Sequence, residues 1–252
     1  MEAYTEFAKV YNEFMEETPY EEWCDFLVKY LSEKEIKNGL LLDLGCGTGT
    51  LTRLLSDKGY DMIGVDSSFE MLDVAKSFEN ENILYLAQDM REFELYGTVR
   101  AIVSTCDCIN YITEEDELKQ VFELVNNYLD TNGLFIFDFN TVAKYEQLGD
   151  TVIAENQENA SFIWENYYYN DEKINEYDVT FFLKEENEMY RKVVEEHFQR
   201  AYTLEDIKRI ITDAGLEFVE AFDDYTRDPA TNESQRICVV AREFGKNRNE
   251  VY

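Results

Sequence analysis

Apolar residues recur along this chain in two alternating rhythms. Short, nearly continuous runs occur at Leu40–Leu44, Tyr60–Asp66, Ile83–Ala87, Ala101–Thr105 and Leu134–Asp138. Runs of this length and density suit strands covered on both faces of a parallel sheet. Between them apolar positions return every three or four residues: Leu51, Leu54 and Leu55, then Met71, Leu72, Val74, Ala75 and Phe78, then Leu118, Val121, Phe122, Val125 and Leu129. A fourth such set, Leu204, Ile207, Ile210 and Ile211, follows much later. That spacing predicts helices packed by one face. Ser67-x-x-Glu70, Thr113-x-x-Asp116 and Thr203-x-x-Asp206 read as capping boxes, and Asn132-Gly133 and Gly215 as helix ends. Leu216–Phe222 and Arg236–Ala241 complete the set as a hairpin joined by a polar loop containing Pro229. The pattern predicts an α/β fold with a seven-stranded, mainly parallel sheet whose last strand is antiparallel.

Two stretches depart from the alternation. Ala8, Tyr11, Phe14 and Met15, preceded by Tyr4 and Phe7, and then Trp23, Phe26, Leu27, Tyr30 and Leu31 have helical spacing on either side of Pro19. They predict two amphipathic helices ahead of the sheet. Between residues 141 and 200, Tyr177, Val179, Phe181 and Leu183 alternate with Glu176, Asp178, Thr180 and Lys184. Phe162, Trp164 and Tyr167-Tyr168-Tyr169 supply a second strand, and the segment from Tyr190 to Tyr202 a third. This predicts a small inserted antiparallel β-sheet at 141–200, with 1–140 and 201–252 forming the main domain.

The candidate chemistry gathers at the strand ends. Gly45-Cys46-Gly47-Thr48-Gly49 joins the first strand to its helix. Glycines let the backbone turn tightly and approach a ligand, and the helix start behind them offers free N–H groups. Asp43 lies inside the strand just before this loop, and Asp66 ends the second strand 17 residues after Gly49. An acid there can accept hydrogen bonds from both ribose hydroxyls of a nucleoside. Asp89, in Gln88-Asp89-Met90, is placed to accept from an adenine amino group. A nucleoside spread along a sheet edge requires acids at successive strand ends in this way. The fourth strand runs into Cys106-Asp107-Cys108-Ile109-Asn110-Tyr111, where open α/β sheets carry their chemistry, and the fifth ends near Asp138 and Asn140.

Leu42-Asp43-Leu44-Gly45-Cys46-Gly47-Thr48-Gly49 resembles the first motif of the Rossmann-like, class I methyltransferases that use S-adenosylmethionine. Gly64–Leu72 resembles the second and Gln88-Asp89-Met90 the third. The resemblance covers residues 38–140 well and 200–242 in outline. Asp107–Tyr111 and Glu196–Tyr202 are similar to a bacterial small-molecule-type subgroup. It implies a Rossmann-like fold with S-adenosyl-L-methionine as cofactor. Gly45, Cys46, Gly47 and Gly49 would then hold its methionine part, with Asp43 near the ammonium, Asp66 on the ribose and Asp89 on the adenine. Ser67, Met71 and Met90 complete the implied cofactor-binding set, and the first helix, with Tyr4 and Tyr11, lies over the ligand as a lid.

Methyl transfer displaces sulfur in line at a carbon that the sulfonium already activates, so positioning is the main task and neither metal nor covalent intermediate is needed. With an amine or hydroxyl acceptor a proton must leave, and Asp107, Tyr111 or His197 is expected to accept or relay it. His197 is the chain's one histidine, and its ordinary pKa suits a base. Asn110, Asp138, Asn140 and Arg200 are the candidate acceptor-binding residues. On a regular strand His197 and Arg200 face opposite ways, so a turn or bulge between them is needed for both to serve one site. The insertion is expected to wall the acceptor pocket or to serve as a dimer surface.

Charge narrows the partners. Fifty-four acidic residues against 23 basic ones give a net charge of −31, a poor match for the phosphate backbone of a nucleic acid. A small-molecule N or O acceptor is the leading expectation. RNA or protein methylation and a non-catalytic cofactor-binding regulatory or interaction module stay open, as does a homodimer. The five cysteines form neither a CxxC pair nor an even framework, so reduced thiols and no metal are expected. No run approaches the length of a membrane span, and the expected location is cytoplasmic.

Overall fold

The computed structural model of the chain describes residues 8, 10–78, 80–185 and 189–246. Helices α1 (Tyr11–Phe14) and α2 (Tyr20–Glu33) precede β1 (Leu40–Leu44), α3 (Thr50–Asp57), β2 (Asp61–Asp66), α4 (Phe69–Ser77) and β3 (Ile83–Ala87). Then come β4 (Val99–Ser104), a 3₁₀ turn (Cys108–Tyr111), α5 (Glu115–Tyr128), β5 (Leu129–Asn140) and α6 (Val142–Leu148). Next are β6 (Thr151–Asn156), β7 (Ala160–Tyr169), β8 (Ile174–Lys184) and β9 (Tyr190–Arg200). The chain closes with α7 (Leu204–Asp213), β10 (Leu216–Asp223) and β11 (Arg236–Glu243).

Seven strands form one sheet in the order β10-β11-β5-β4-β1-β2-β3. β11 runs antiparallel to both its neighbours, and the pairings among β1 to β5 are parallel. The expected α/β architecture is therefore the observed one. Period-two alternation divides the strands between the two faces. Phe135, Phe137 and Phe139 of β5 pack with Leu118, Val121 and Ile210 from α5 and α7. Leu134 and Ile136 point the other way, to Leu27, Leu31 and Leu55 of α2 and α3. The central strands are thus buried on both faces, which is why they read as continuous apolar runs. The second sheet is antiparallel, in the order β6-β7-β8-β9. Its apolar side residues, among them Phe162, Val179, Phe181 and Leu183, gather with Tyr145 of α6 and Val10 ahead of α1. Among the described residues no helix is long and apolar enough to cross a membrane.

Several local expectations are corrected. Thr203 and Asp206 form the full capping box on α7, but α4 is capped by Ser68, whose hydroxyl accepts from Met71 N at 3.1 Å. The cap moves one residue because Asp66 Oδ1 already accepts from Ser68 N at 2.9 Å and turns the chain there. Helix α5 starts after Glu114 without a side-chain cap. Glu115, Asp116 and Glu117 in its first turn favour the positive end of the helix dipole instead. Asn132-Gly133 does not end that helix. Leu129 is already extended and pairs with Val99, and Asn132, at φ 62°, sits in a bend of β5 that Glu243 holds through Asn132 N. α6 and the exposed β6 escape the sequence patterns altogether. The first expected helix is described only from Tyr11 to Phe14, and Tyr4 and Phe7 lie outside the described residues.

Candidate active site

A cleft of about 460 Å³ opens where β1, β2, β3 and β4 end. Its walls are Gly45, Cys46 and Gly47 after β1, Asp66, Ser67 and Met71 after β2, and Asp89, Met90 and Arg91 after β3. Cys106, Cys108 and Tyr111 close it from the loop after β4, and Tyr11 and Tyr20 from the N-terminal segment. The volume falls within the range of small-molecule and cofactor sites.

Gly45 N and Cys46 N both donate to Val65 O, at 2.8 and 2.9 Å. Gly47 N donates to Asp66 Oδ2 at 2.8 Å, while Asp66 Oδ1 accepts from Ser68 N. Asp66 therefore ties the glycine loop to the start of α4. Burial pushes its carboxyl pKa up, and the N–H groups of Ser68, Gly47 and Ser67 pull it down. A carboxylate has about four acceptor positions, so these N–H groups leave lone-pair capacity for a ligand hydroxyl. Asp43 lies beneath the loop, 1% exposed, and accepts from the Thr52 hydroxyl at 2.6 Å. Burial pushes its pKa up to about 7, against the pull of the Thr52 hydroxyl and with a smaller push from the Asp66 charge. A cationic ligand group in the cleft relieves that cost.

Gly45 has φ 83°, and a Cβ there would stand 2.6 Å from Cys108 Sγ. The two strand-end loops therefore touch through a position that only glycine fills. Gly49 is not a wall of the cleft. It precedes α3 at φ 74°, where a Cβ would collide with the Tyr85 hydroxyl. Asp89 is held by Arg91, whose Nε lies 3.0 Å from Oδ1 and Nη2 2.5 Å from Oδ2. These bonds keep the Asp89 carboxyl below its ordinary range. The Asp89 carboxylate is thus a fixed acceptor at the third strand end.

Beyond β4 both Cys106 and Asp107 are left-handed, at φ 61° and 53°. Such conformations are costly for non-glycine residues and persist only where their surroundings hold them. Asp138 supplies the hold: its carboxylate accepts from Cys106 N at 2.8 Å and Asp107 N at 2.6 Å. It also accepts from the Tyr225 hydroxyl at 2.6 Å and Arg236 Nη1 at 2.7 Å. Arg236 Nη2 reaches Asp107 Oδ1 at 2.8 Å, and Gln199 Nε2 reaches Asp107 Oδ2 at 2.7 Å. Asp138 is thus fully buried behind the loop, and it faces the backbone of that loop and not the cleft. Asn110 and Asn140 are likewise internal. Asn110 Nδ2 donates to Asn140 O at 2.9 Å and Arg200 O at 2.8 Å, and its Oδ1 accepts from Asn140 N at 2.8 Å.

A second cavity of about 360 Å³ is lined by Phe14, Met15, Trp23, Cys106, Asp107 and Arg236. It meets the first at Cys106. His197 lines neither cavity, yet its Nδ1 is 3.2 Å from the Tyr111 hydroxyl. β9 pairs with β8 without a register shift, so no bulge brings Arg200 to the side of His197. The Arg200 guanidinium instead donates to Thr113 O and pairs with Glu115, each at 3.2 Å. Sequence reasoning missed Tyr20, Arg91, Gln199, Tyr225 and Arg236. A charge opening the apolar run from Ile237 to Ala241 is the one local signal that marks Arg236.

The strand order, the glycine loop and the acids at three strand ends define a Rossmann-like methyltransferase. Residues 41–133 match a family model described as a methyltransferase domain. A Bacillus subtilis (strain 168) protein that carries the methyltransferase name YqeM is 32% identical over 95% of this chain and 96% of its own. Among solved structures, an S-adenosylmethionine-dependent methyltransferase from Clostridium acetobutylicum aligns at a TM-score of 0.85 and 29% identity, over 97% of this chain and 100% of that one. CalS10 from Micromonospora echinaspora, an amino pentose methyltransferase solved with S-adenosylmethionine bound, shares the fold at a TM-score of 0.74 and 14% identity, over 96% of this chain and 99% of that one. The chain belongs to the S-adenosylmethionine-dependent methyltransferases, and S-adenosylmethionine is its cofactor. The cleft suits that group: a glycine cradle without Cβ atoms, lone pairs on Asp66, and a buried Asp43 carboxyl to meet a cation.

Proposed function

We propose that this enzyme methylates a nitrogen or oxygen atom of a small molecule that enters through the second cavity. The observation that carries this reading is the meeting of the two cavities at Cys106. One has acids at its strand ends, and the other has the apolar walls of Phe14, Met15 and Trp23. Bound S-adenosylmethionine supplies a methyl group already activated by its positive sulfur.

The residues divide the work by position. Gly45, Cys46 and Gly47, with Asp43 below, hold the methionine end. Asp66 and Ser67 take the ribose hydroxyls, Asp89 and Met90 the adenine, and Met71 packs beside them. Tyr11 and Tyr20 cover the cleft and exclude water. Asp107 faces the acceptor cavity, fixed in place by Arg236 and Gln199, and Tyr111 stands at the cleft wall. Residues 141–200 reach the acceptor side through Gln199 of β9, which donates to Asp107. Free thiols among the described cysteines accord with a reducing, cytoplasmic setting.

The test is conversion of S-adenosylmethionine to S-adenosylhomocysteine across a panel of amino sugars, aliphatic amines, phenols, a lysine-rich peptide and transfer RNA. Turnover with a small amine or hydroxyl compound supports the assignment. Turnover confined to the peptide or the RNA overturns it.

A further inference from the structure

Three polar residues occupy alternate positions on the inner face of β9: Glu195, His197 and Gln199, at 1%, 5% and 1% exposure. Alternate residues share a face of a strand. The register continues that face onto β8, with Val179 opposite Glu195 and Tyr177 opposite His197. Taking an ionised carboxylate out of water beside a valine is unfavourable unless a partner compensates it. His197 is one partner of Glu195, its Nε2 lying 3.4 Å from Oε2. The other ring nitrogen, Nδ1, is 3.2 Å from the Tyr111 hydroxyl, and Tyr111 lines the cofactor cleft.

The partners assign the tautomer. An ionised carboxylate only accepts, so Nε2 carries the hydrogen and Nδ1 keeps a lone pair, which makes the Tyr111 hydroxyl the donor. A line of close polar contacts therefore runs from a sealed carboxylate to the wall of the cleft.

We propose that Glu195, His197 and Tyr111 form a proton relay that deprotonates an amine or hydroxyl acceptor, with Tyr111 as the catalytic residue and His197 and Glu195 as positioning residues behind it. The proposal rests on the reading of the cleft as the methyl donor's site. The acceptor's lone pair forms the new bond to the methyl carbon as the carbon–sulfur bond breaks and its electron pair returns to sulfur. The acceptor's N–H or O–H proton passes to the Tyr111 oxygen while the Tyr111 proton passes to His197 Nδ1. The resulting imidazolium lies against the Glu195 carboxylate, and the proton returns through Tyr111 to water after the product leaves. Across the strand pair the ring faces Tyr177, and next to Tyr177 stand Asp107 and Arg236 as an ion pair.

Because His197 is the sole histidine of the chain, its imidazole ¹⁵N resonances are read without ambiguity in labelled protein saturated with S-adenosylhomocysteine. The expected spectrum of the neutral ring shows hydrogen on Nε2. Glu195→Gln shifts the Nε2 resonance, and Tyr111→Phe shifts the Nδ1 resonance. With the small amine or hydroxyl compound turned over, Tyr111→Phe lowers kcat about 100-fold. Glu195→Gln lowers kcat, with the KM for S-adenosylmethionine unchanged. An Nε2 resonance unmoved in folded Glu195→Gln, or hydrogen on Nδ1, overturns the relay. If Glu195→Gln does not fold, an Nδ1 resonance indifferent to Tyr111→Phe overturns it as well. Calorimetry with S-adenosylhomocysteine on the wild-type sample separates the two failures: binding with an uncoupled imidazole rejects the relay alone, and absence of binding rejects the cofactor assignment.

Discussion

Arg236 Nη2 stands 2.8 Å from Asp107 Oδ1, so the first residue of β11 holds the loop that follows β4. The same guanidinium meets Asp138. Arg236→Met leaves two carboxylates facing each other without the cation, one of them fully buried. The expected cost is about 3 kcal/mol, a fall in melting temperature of about 6 to 12 °C. Asp138→Asn in the same chain recovers part of that loss. Equal melting temperatures for wild type and Arg236→Met by scanning calorimetry would refute this account of the loop.

Asp66→Ala is expected to weaken S-adenosylmethionine binding about 10- to 100-fold, from the loss of about 1.5 to 3 kcal/mol of charge-assisted hydrogen bonding. Titration calorimetry on a variant with an intact circular dichroism spectrum reads this directly. Full affinity would remove Asp66 from the ribose.

Asp43 makes the cofactor-free enzyme sensitive to pH. Its carboxyl has a pKa raised from 3.8 to about 7, chiefly by burial. Between those values the unfolded chain releases a proton that the folded chain keeps. Stability is therefore fully present below about pH 4 and is lost as pH rises through about 7. Asp43→Asn removes the ionisation and melts above wild type at pH 8, by at most about 4 kcal/mol. At pH 4 the two melt together. Burial moves Asp66 in the same direction, so the single substitution flattens only part of the profile. Thermal scans of both proteins from pH 4 to 8 test the sign, and a gap that widens toward acid contradicts it.

Gly45→Ala is expected to weaken cofactor binding at least about tenfold, because a left-handed alanine costs about 1 to 2 kcal/mol and its methyl meets Cys108 Sγ. Cys108→Ala in the same chain relieves the sulfur contact and leaves the backbone strain, so affinity returns in part. Complete recovery would show that φ at this position carries no cost.

The cofactor half of the cleft is legible in the sequence because each of its parts sits at the end of a strand that periodicity already marks. Asp43, Gly45, Asp66 and Asp89 need no partner from elsewhere in the chain to be located. The surroundings of the loop after β4 are assembled from residues far apart: Asp107 takes Arg236 from 129 positions away and Gln199 from 92, and Asp138 takes Tyr225 from 87. No local window contains such pairs, and so Asp138 reads as a ligand contact when it is the anchor of a strained loop. The capping motifs teach the same lesson at short range. Thr203-x-x-Asp206 closes its box, while Thr113-x-x-Asp116, equal in form, gives way to a first turn of three acids. β6 shows no alternation because both its faces are largely exposed.

Thr141 and Tyr202 are bridged to one another, so the chain departs from the seven-stranded sheet and returns to it at a single place. Asn110 clamps that crossing from both sides through Asn140 O and Arg200 O. The entropy of closing a loop rises only slowly with its length once the ends are pinned. A change in the length of the loops between those two residues therefore leaves the ends of β5 and α7 where Asn110 holds them.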